Sequence, residues 1–156
     1  MSLRLRIPPV VWIALGGGLM WGLDRALPMM RLIEPPAHRA GWILVALGAA
    51  IIAAAVLEFR RAGTTVDPTR PAKASALVRT GIFGYSRNPM YLGMAVGLAG
   101  WAVLLGSLGP WLVLPAFATL LTRLQIGPEE AVLATLFGRD YEDYCAHVGR
   151  WFGRRG

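Results

Sequence analysis

The sequence predicts an all-α integral membrane protein: about four transmembrane helices, a C-terminal amphipathic helical segment and no Rossmann sheet. Three observations lead there. Charge is scarce, at 16% of 156 residues, where a soluble domain carries about 25%; mean hydropathy is +0.49. The scarcity is concentrated, because residues 7–23, 40–57 and 88–122 carry no charged side chain. The last of these runs is 35 residues long and is broken by Gly106-Ser107-Leu108-Gly109-Pro110, the composition of a tight helical hairpin. A span needs roughly 20 apolar residues, with about 17 as the lower bound. The expected spans are 7–27, 40–59, 88–106 and 109–126, within a single domain covering residues 1–156. The competing reading, a buried all-helical soluble bundle, fits so low a charge content poorly.

The net charge of +7 suggests nucleic acid at first sight, but its distribution points to the bilayer as partner and to no nucleic acid. With four spans, thirteen of the sixteen Lys and Arg fall on one side: Arg4 and Arg6, the loop from Arg60 to Arg87, and the segment from Arg123 to Arg155. Only Arg25, Arg31 and Arg39 face the other. By the positive-inside rule both termini are cytoplasmic, the arrangement of a multi-pass protein of a bacterial inner membrane. The single cysteine, Cys145, excludes an internal disulfide and fits a reducing compartment. Arg4 and Arg6 before an apolar stretch resemble a signal peptide, but no small-x-small cleavage site follows and further spans do, so the first helix is expected to be permanent.

Gly16-Gly17-Gly18 in the first helix reads as close packing against a neighbour; no strand or GxGxxG pattern accompanies it as a phosphate loop requires. Asp24 and Arg25 end that helix as an interfacial pair. Residues 28–39 form an external loop, where the isolated His38 makes a poor metal ligand; no metal is expected. Helix 2 exits at Glu58, Arg60 and Arg61. Residues 61–74 are turn-rich and serve as a connector or a lid. Pro115 should kink helix 4. Gly127-Pro128-Glu129-Glu130 has the composition of a helix start. Leu133, Phe137, Tyr141, Tyr144, Val148 and Trp151 then recur every three or four residues, one apolar stripe of an element that lies on the membrane or caps the bundle. Gly138 marks a bend in it.

Ser75 to Gly93 is the stretch richest in chemistry. Arg79, Arg87, Asn88, Phe83, Tyr85 and Tyr91 lie against membrane-length apolar runs, where polar groups must face protein, water or a ligand. Pro89 drives Asn88 out of helical geometry and suits the first turn of the next helix, whose free N–H groups favour an anion.

These residues resemble a known family. Gly81-Ile-Phe83-Gly-Tyr85-Ser-Arg87-Asn88-Pro89-Met90-Tyr91-Leu-Gly93 is similar to the GxYxxxRHPxYxG signature of isoprenylcysteine carboxyl methyltransferases and phospholipid N-methyltransferases. Glu129-Glu130 followed by Phe137-Gly138, Tyr141 and Tyr144 resembles the second half of their pattern. Asn88 stands where the family has His, so a titrating imidazole is lost there but a hydrogen-bonding amide remains; Phe83 stands at the family's first tyrosine. The resemblance implies an integral membrane enzyme using S-adenosylmethionine. It implies cofactor contacts at Ser75, Ala76, Leu77, Val78, Phe83, Asn88, Pro89, Met90, Tyr91 and Glu130, with Glu129 as a near alternative. Arg87, Asn88, Tyr91 and Glu130 are the expected catalytic group. The family's substrate-associated arginine maps to Arg123. Phe83, Tyr85 and Tyr91 offer faces for adenine or for a sulfonium, a cation–π contact of ~0.5–2 kcal/mol.

The expected reaction is methyl transfer to a lipid-like or small apolar acceptor bearing a carboxylate, amine or thiol, at the cytoplasmic membrane face. Two rivals are an NADPH-dependent membrane reductase, since sterol reductases share a similar RxxRHPxYxGE stretch, and a non-catalytic membrane subunit. Leu92-Gly93-Met94 lacks the glutamate of the reductase stretch.

Overall fold

A computed structural model describes residues 7–26, 30–64 and 75–154. Of the lid expectation for residues 61–74, the part from 65 onward lies outside the described residues. Four apolar helices run in sequence: α1 (Pro9–Ala26), α2 (Gly41–Arg61), α3 (Pro89–Leu105) and α4 (Gly109–Leu121). A short 3-10 turn, Ala37–Ala40, leads into α2, and another, Gly81–Gly84, precedes α3. After α4 come a π-helical segment, Thr122–Ile126, then α5 (Gly127–Phe137) and α6 (Arg139–His147). No sheet forms among the described residues; extended pairing is limited to two isolated bridges, Arg31 with Ser107 and Val148 with Arg154.

Among the described residues one helix, Ala37–Arg61, is long and apolar enough by itself to cross a membrane, and only 17% of its most apolar stretch is buried. α3 is apolar but 17 residues long. Large apolar side chains face outward from several helices, among them Val10, Leu15, Leu19, Ile43, Leu47 and Leu112. An outer face of this kind is what lipid contact, or a further protein surface, demands.

α2 and α3 pack backbone to backbone. The buried residues of α2 are Gly41, Gly48 and Ala55, one every seven positions, and Gly93 and Gly100 repeat that spacing on α3. A β-carbon at Gly48 would lie 2.5 Å from the Gly93 carbonyl oxygen, and one at Gly100 would lie 2.6 Å from that of Gly41. The main apolar core lies on the other side of α3, where Trp12, Met20, Met94, Leu98, Phe117, Leu121 and Ile126 interlock between α1, α3 and α4. The glycine run of α1 works there as expected for packing at two of its three positions. Gly16 lies against Leu98 and Phe117, Gly17 approaches Leu98 and Trp101, and Gly18 has nothing within 4 Å.

The hairpin between α3 and α4 closes on Gly106, whose φ is +79°. Its carbonyl accepts from the N–H groups of Leu32 and Ile33, at 2.8 and 3.1 Å, so the loop before α2 and the hairpin are bound together. Asp24 accepts a 2.6 Å hydrogen bond from Ser107 Oγ, while Arg25 lies over the Trp21 ring. The Asp24–Arg25 pair of the sequence reading is replaced by these contacts, because Ser107 brings a donor to the carboxylate from the neighbouring turn.

Two features of the second half go beyond the sequence pattern. α4 continues through Pro115, whose carbonyl accepts from the Thr119 hydroxyl at 2.7 Å. α5 begins at Gly127 with Pro128, Glu129 and Glu130 in its first turn, as expected, yet it is continuous with α4. Gly127 is helical (φ −57°, ψ −51°) and its N–H bonds to Thr122 O, an i→i−5 contact. The chain thus runs from α4 into α5 through the π-segment, and the wider turn accommodates a proline that cannot donate to the preceding turn. Gly138, with φ +50°, makes the expected bend into α6. Tyr141, Tyr144 and Val148 then bury themselves with Leu77, Leu133 and Phe137, so α6 caps the bundle end on the side of residues 75–91.

Candidate active site

Two segments far apart in sequence meet at this end. The first is the turn Ser86-Arg87-Asn88 leading into α3. Ser86 is fully buried, and its hydroxyl accepts from Asn88 N at 3.0 Å, which fixes the turn before Pro89. Asn88 sits at φ −132°, ψ 55°, outside the helical region, as the following proline requires. The first helical bond of α3 runs from Leu92 N to Asn88 O, leaving the N–H groups of Met90 and Tyr91 in the unbonded first turn. The second segment is α5 and the chain beyond α6. Arg87 N donates to Gly149 O at 3.0 Å and Gly153 N donates to Tyr85 O at 2.9 Å, so the C-terminal turn is tied to the Arg87 turn.

Glu130 is the centre of the site. Arg150 donates to its Oε2 from Nη2 at 2.7 Å and from Nε at 3.0 Å, the forked geometry that makes an arginine–carboxylate pair strong. Arg87 Nη1 lies 3.4 Å from its Oε1. Asn88 Nδ2 is 3.4 Å from the same oxygen and 3.1 Å from Arg150 O. Arg87 Nη1 also contacts Cys145 Sγ, while its Nε is buried without a partner. The hydrogen bonds from Arg150 to Glu130 raise the arginine's pKa further. One carboxylate among two guanidiniums leaves the cluster with a net positive charge.

Glu129, one residue earlier, faces the core instead. It is 9% exposed, and its Oε1 accepts from Tyr91 Oη at 2.6 Å and from Gln125 Nε2 at 2.9 Å. Burial pushes its carboxyl up to about 7, against the opposing effect of these two donors. Tyr91 therefore reaches Glu129 and not Glu130.

The remaining expected residues divide by surroundings. Met90 packs on Ala55, Val78 and Phe83; Phe83 is buried edge-on to Phe59 at 4.9 Å, and its carbonyl accepts from Tyr144 Oη at 2.7 Å. Leu77 joins the Tyr141–Tyr144 cluster, Ala76 is half-buried and Pro89 is fully buried. Ser75 is exposed, its N–H bonded to Thr64 Oγ1 just past α2. Tyr85 is half-exposed with the Arg154 guanidinium over its ring. Arg123 is exposed on the π-segment and belongs to neither carboxylate cluster. Arg150, Cys145 and Gln125 carry contacts that the sequence reading assigned to no role. Only Gln125 left a local signal, standing one helical turn before Glu129.

The phospholipid methyltransferase family profile matches residues 36–140, more than half of the chain. The chain belongs to that family. The phospholipid methyltransferase match takes in α2, the Arg87–Tyr91 turn and both glutamates, and stops before Cys145 and Arg150. The chain is also 28% identical over 102 residues to the protein-S-isoprenylcysteine O-methyltransferase of Schizosaccharomyces pombe, covering 65% of this chain and 43% of that protein. An uncharacterized protein of Haemophilus influenzae is 36% identical over 62 residues, 40% of this chain and 98% of that one. The chain thus spans less than half of the yeast relative and nearly all of the bacterial one. No solved structure matches.

Proposed function

We propose that the chain transfers a methyl group from S-adenosylmethionine to a lipid-like or small apolar acceptor at the cytoplasmic face of a membrane. The observation that carries this reading is the meeting of the Arg87–Asn88 turn with Glu130 across two intervening helices.

The groups present suit the amino-acid end of that cofactor. Arg87 keeps a buried, unpartnered Nε and stands beside the free N–H groups of the first turn of α3, so a carboxylate has donors to meet there. Glu130 can take an ammonium, with Arg150 and Asn88 fixing its orientation. When bound, the cofactor would supply a methyl group already activated by its sulfonium. What this chain contributes is alignment and exclusion of water. Met90, Val78 and Phe83 form an apolar wall behind the turn, and Tyr141 and Tyr144 close it from α6. A carboxylate or thiolate acceptor needs no base, whereas an amine must first lose its proton. Glu129, its carboxyl held up to about 7 by burial, is a group beside the site able to hold a proton near neutral pH.

Thermal unfolding of the purified protein with S-adenosylhomocysteine tests the reading. Stabilisation of ~2.7 kcal/mol is expected at a hundredfold excess over the dissociation constant, and methyl-labelled S-adenosylmethionine should mark a lipid-extractable product in membranes. Stabilisation by NADPH alone would replace the proposal with a reductase. Silence from both nucleotides would leave a non-catalytic subunit.

A further inference from the structure

We propose that a second pocket at the same end of the molecule binds a phosphate group, presented by an acidic phospholipid headgroup. The pocket, of about 380 Å³, lies between the turn around Gly84, α6 and the C-terminal bridge, and its polar lining is Arg79, Asp143, Tyr144, His147 and Arg154. It shares none of its lining with the Glu130 cluster of Arg87, Asn88 and Arg150.

Its charges are unbalanced. Among the described residues Arg154 is held by groups that carry no charge: its Nε donates to Gly84 O at 3.3 Å, and its guanidinium lies 5.0 Å from the centroid of the Tyr85 ring. The Arg79 side chain makes no hydrogen bond or ion pair among the described residues. Asp143 is the acid in the lining, and it is faced by His147, whose Nδ1 is 3.5 Å from its carboxylate. The Tyr144 hydroxyl is already spent on Phe83 O. Two guanidiniums without acidic partners among the described residues, in one concavity, attract an anion. A phosphate, with several oxygens set around one centre, can accept from two planar forks at once. The volume exceeds what one phosphate fills and leaves room for a glycerol backbone.

The position of the pocket favours a lipid as the source of that phosphate. It opens at the end where α2 exits and α3 begins, the end to which thirteen of the sixteen basic residues are assigned. Anionic headgroups lie at that level of a membrane surface and attract such basic clusters. The Tyr85 ring lies under the Arg154 guanidinium at the edge of this pocket.

Native mass spectrometry of the full chain, released from detergent with added lipid, tests the assignment. Phosphatidylglycerol should be retained at least tenfold better than phosphatidylcholine. Arg79→Gln and Arg154→Gln should each reduce that retention about tenfold, and S-adenosylhomocysteine should leave it unchanged. Arg79→Gln removes no side-chain hydrogen bond or ion pair among the described residues, so it separates binding from folding even where Arg154→Gln unfolds the C-terminal bridge. Equal retention of the two lipids, undiminished retention by Arg79→Gln, or displacement by S-adenosylhomocysteine would overturn the proposal. Competition by soluble glycerol phosphate at the affinity of the lipid would support the phosphate site and overturn the lipid as its source.

Discussion

Glu129 and Glu130 are neighbours in sequence with different chemistry, because successive residues of a helix point about 100° apart. Glu130 turns to Arg150 and Arg87, and Glu129 to Tyr91 and Gln125. Glu130→Gln keeps the shape but loses the charge, so it should weaken S-adenosylhomocysteine binding by roughly 1.5–3 kcal/mol, about ten- to a hundredfold, and also lower the melting temperature, because Arg87 and Arg150 lose their acidic partner. Calorimetric titration of the variant checks this, and wild-type affinity would remove Glu130 from the site. Glu129 makes a prediction about pH. Its carboxyl is raised from 4.5 to about 7, so the folded state holds the proton more tightly than the unfolded one. The associated stability is complete below about pH 4.5 and is lost as pH rises to about 7. Its size is on the order of 3 kcal/mol. In Glu129→Gln this slope should disappear, which melting curves at about pH 5 and about pH 8 would reveal; parallel pH profiles in the two proteins would contradict it.

The α2–α3 seam sets the Arg87 turn in place, since α3 starts at that turn and packs along α2 through glycine. A β-carbon at Gly48 meets backbone at 2.5 and 2.7 Å, and neither helix backbone can give way locally. Gly48→Ala should therefore destabilise by about 1–3 kcal/mol or more, while Gly18→Ala, which meets nothing within 4 Å, should be neutral or slightly stabilising. Thermal unfolding in one detergent compares the two, and equal melting temperatures would deny the close seam. At this scale the sequence was partly legible. Uncharged runs located four apolar helices, and Gly106 and Pro110 announced the hairpin. The passage from α4 to α5 was not legible, because Gly-Pro followed by two acids suits a helix start and equally suits a π-turn that spares the proline its missing bond. The Arg150–Glu130 pair was hidden for another reason. It depends on a local turn in which Gly149 N bonds to Gly153 O, and on the long-range bond from Arg87 N to Gly149 O that places this turn, neither of which has a periodic signature. The paired motifs did indicate that residues 87–88 and 130 belong together, but not that the Tyr91 hydroxyl bonds to Glu129 and not to Glu130.

Across the whole molecule the contacts sort into two ends. At one, the chain around Met30–Ile33 bonds to Gly106 and Leu108, and Asp24 bonds to Ser107. At the other, Glu58 accepts from Thr80 Oγ1 at 2.8 Å, and the two carboxylate clusters assemble. A topology of four membrane crossings would require this pairing, with the loop before α2 and the α3–α4 hairpin sharing one side. By the rise of 1.5 Å per residue, α1 and α3 are roughly 27 and 26 Å long, slightly short of a hydrocarbon core of about 30 Å. Local thinning of the bilayer or snorkelling of flanking residues closes such a gap. We propose, from the charge asymmetry and the positive-inside rule, that the candidate active site faces the cytoplasm. Single cysteines in a Cys145→Ser background test this directly in intact bacterial cells. Glu34→Cys and Leu108→Cys should react with a membrane-impermeant maleimide from outside, whereas Thr64→Cys and His147→Cys should react only after the membrane is opened. Labelling of all four positions from one side would rule out the crossing pattern, and labelling of His147→Cys from outside would move the site, and any acceptor that reaches it, to the opposite leaflet.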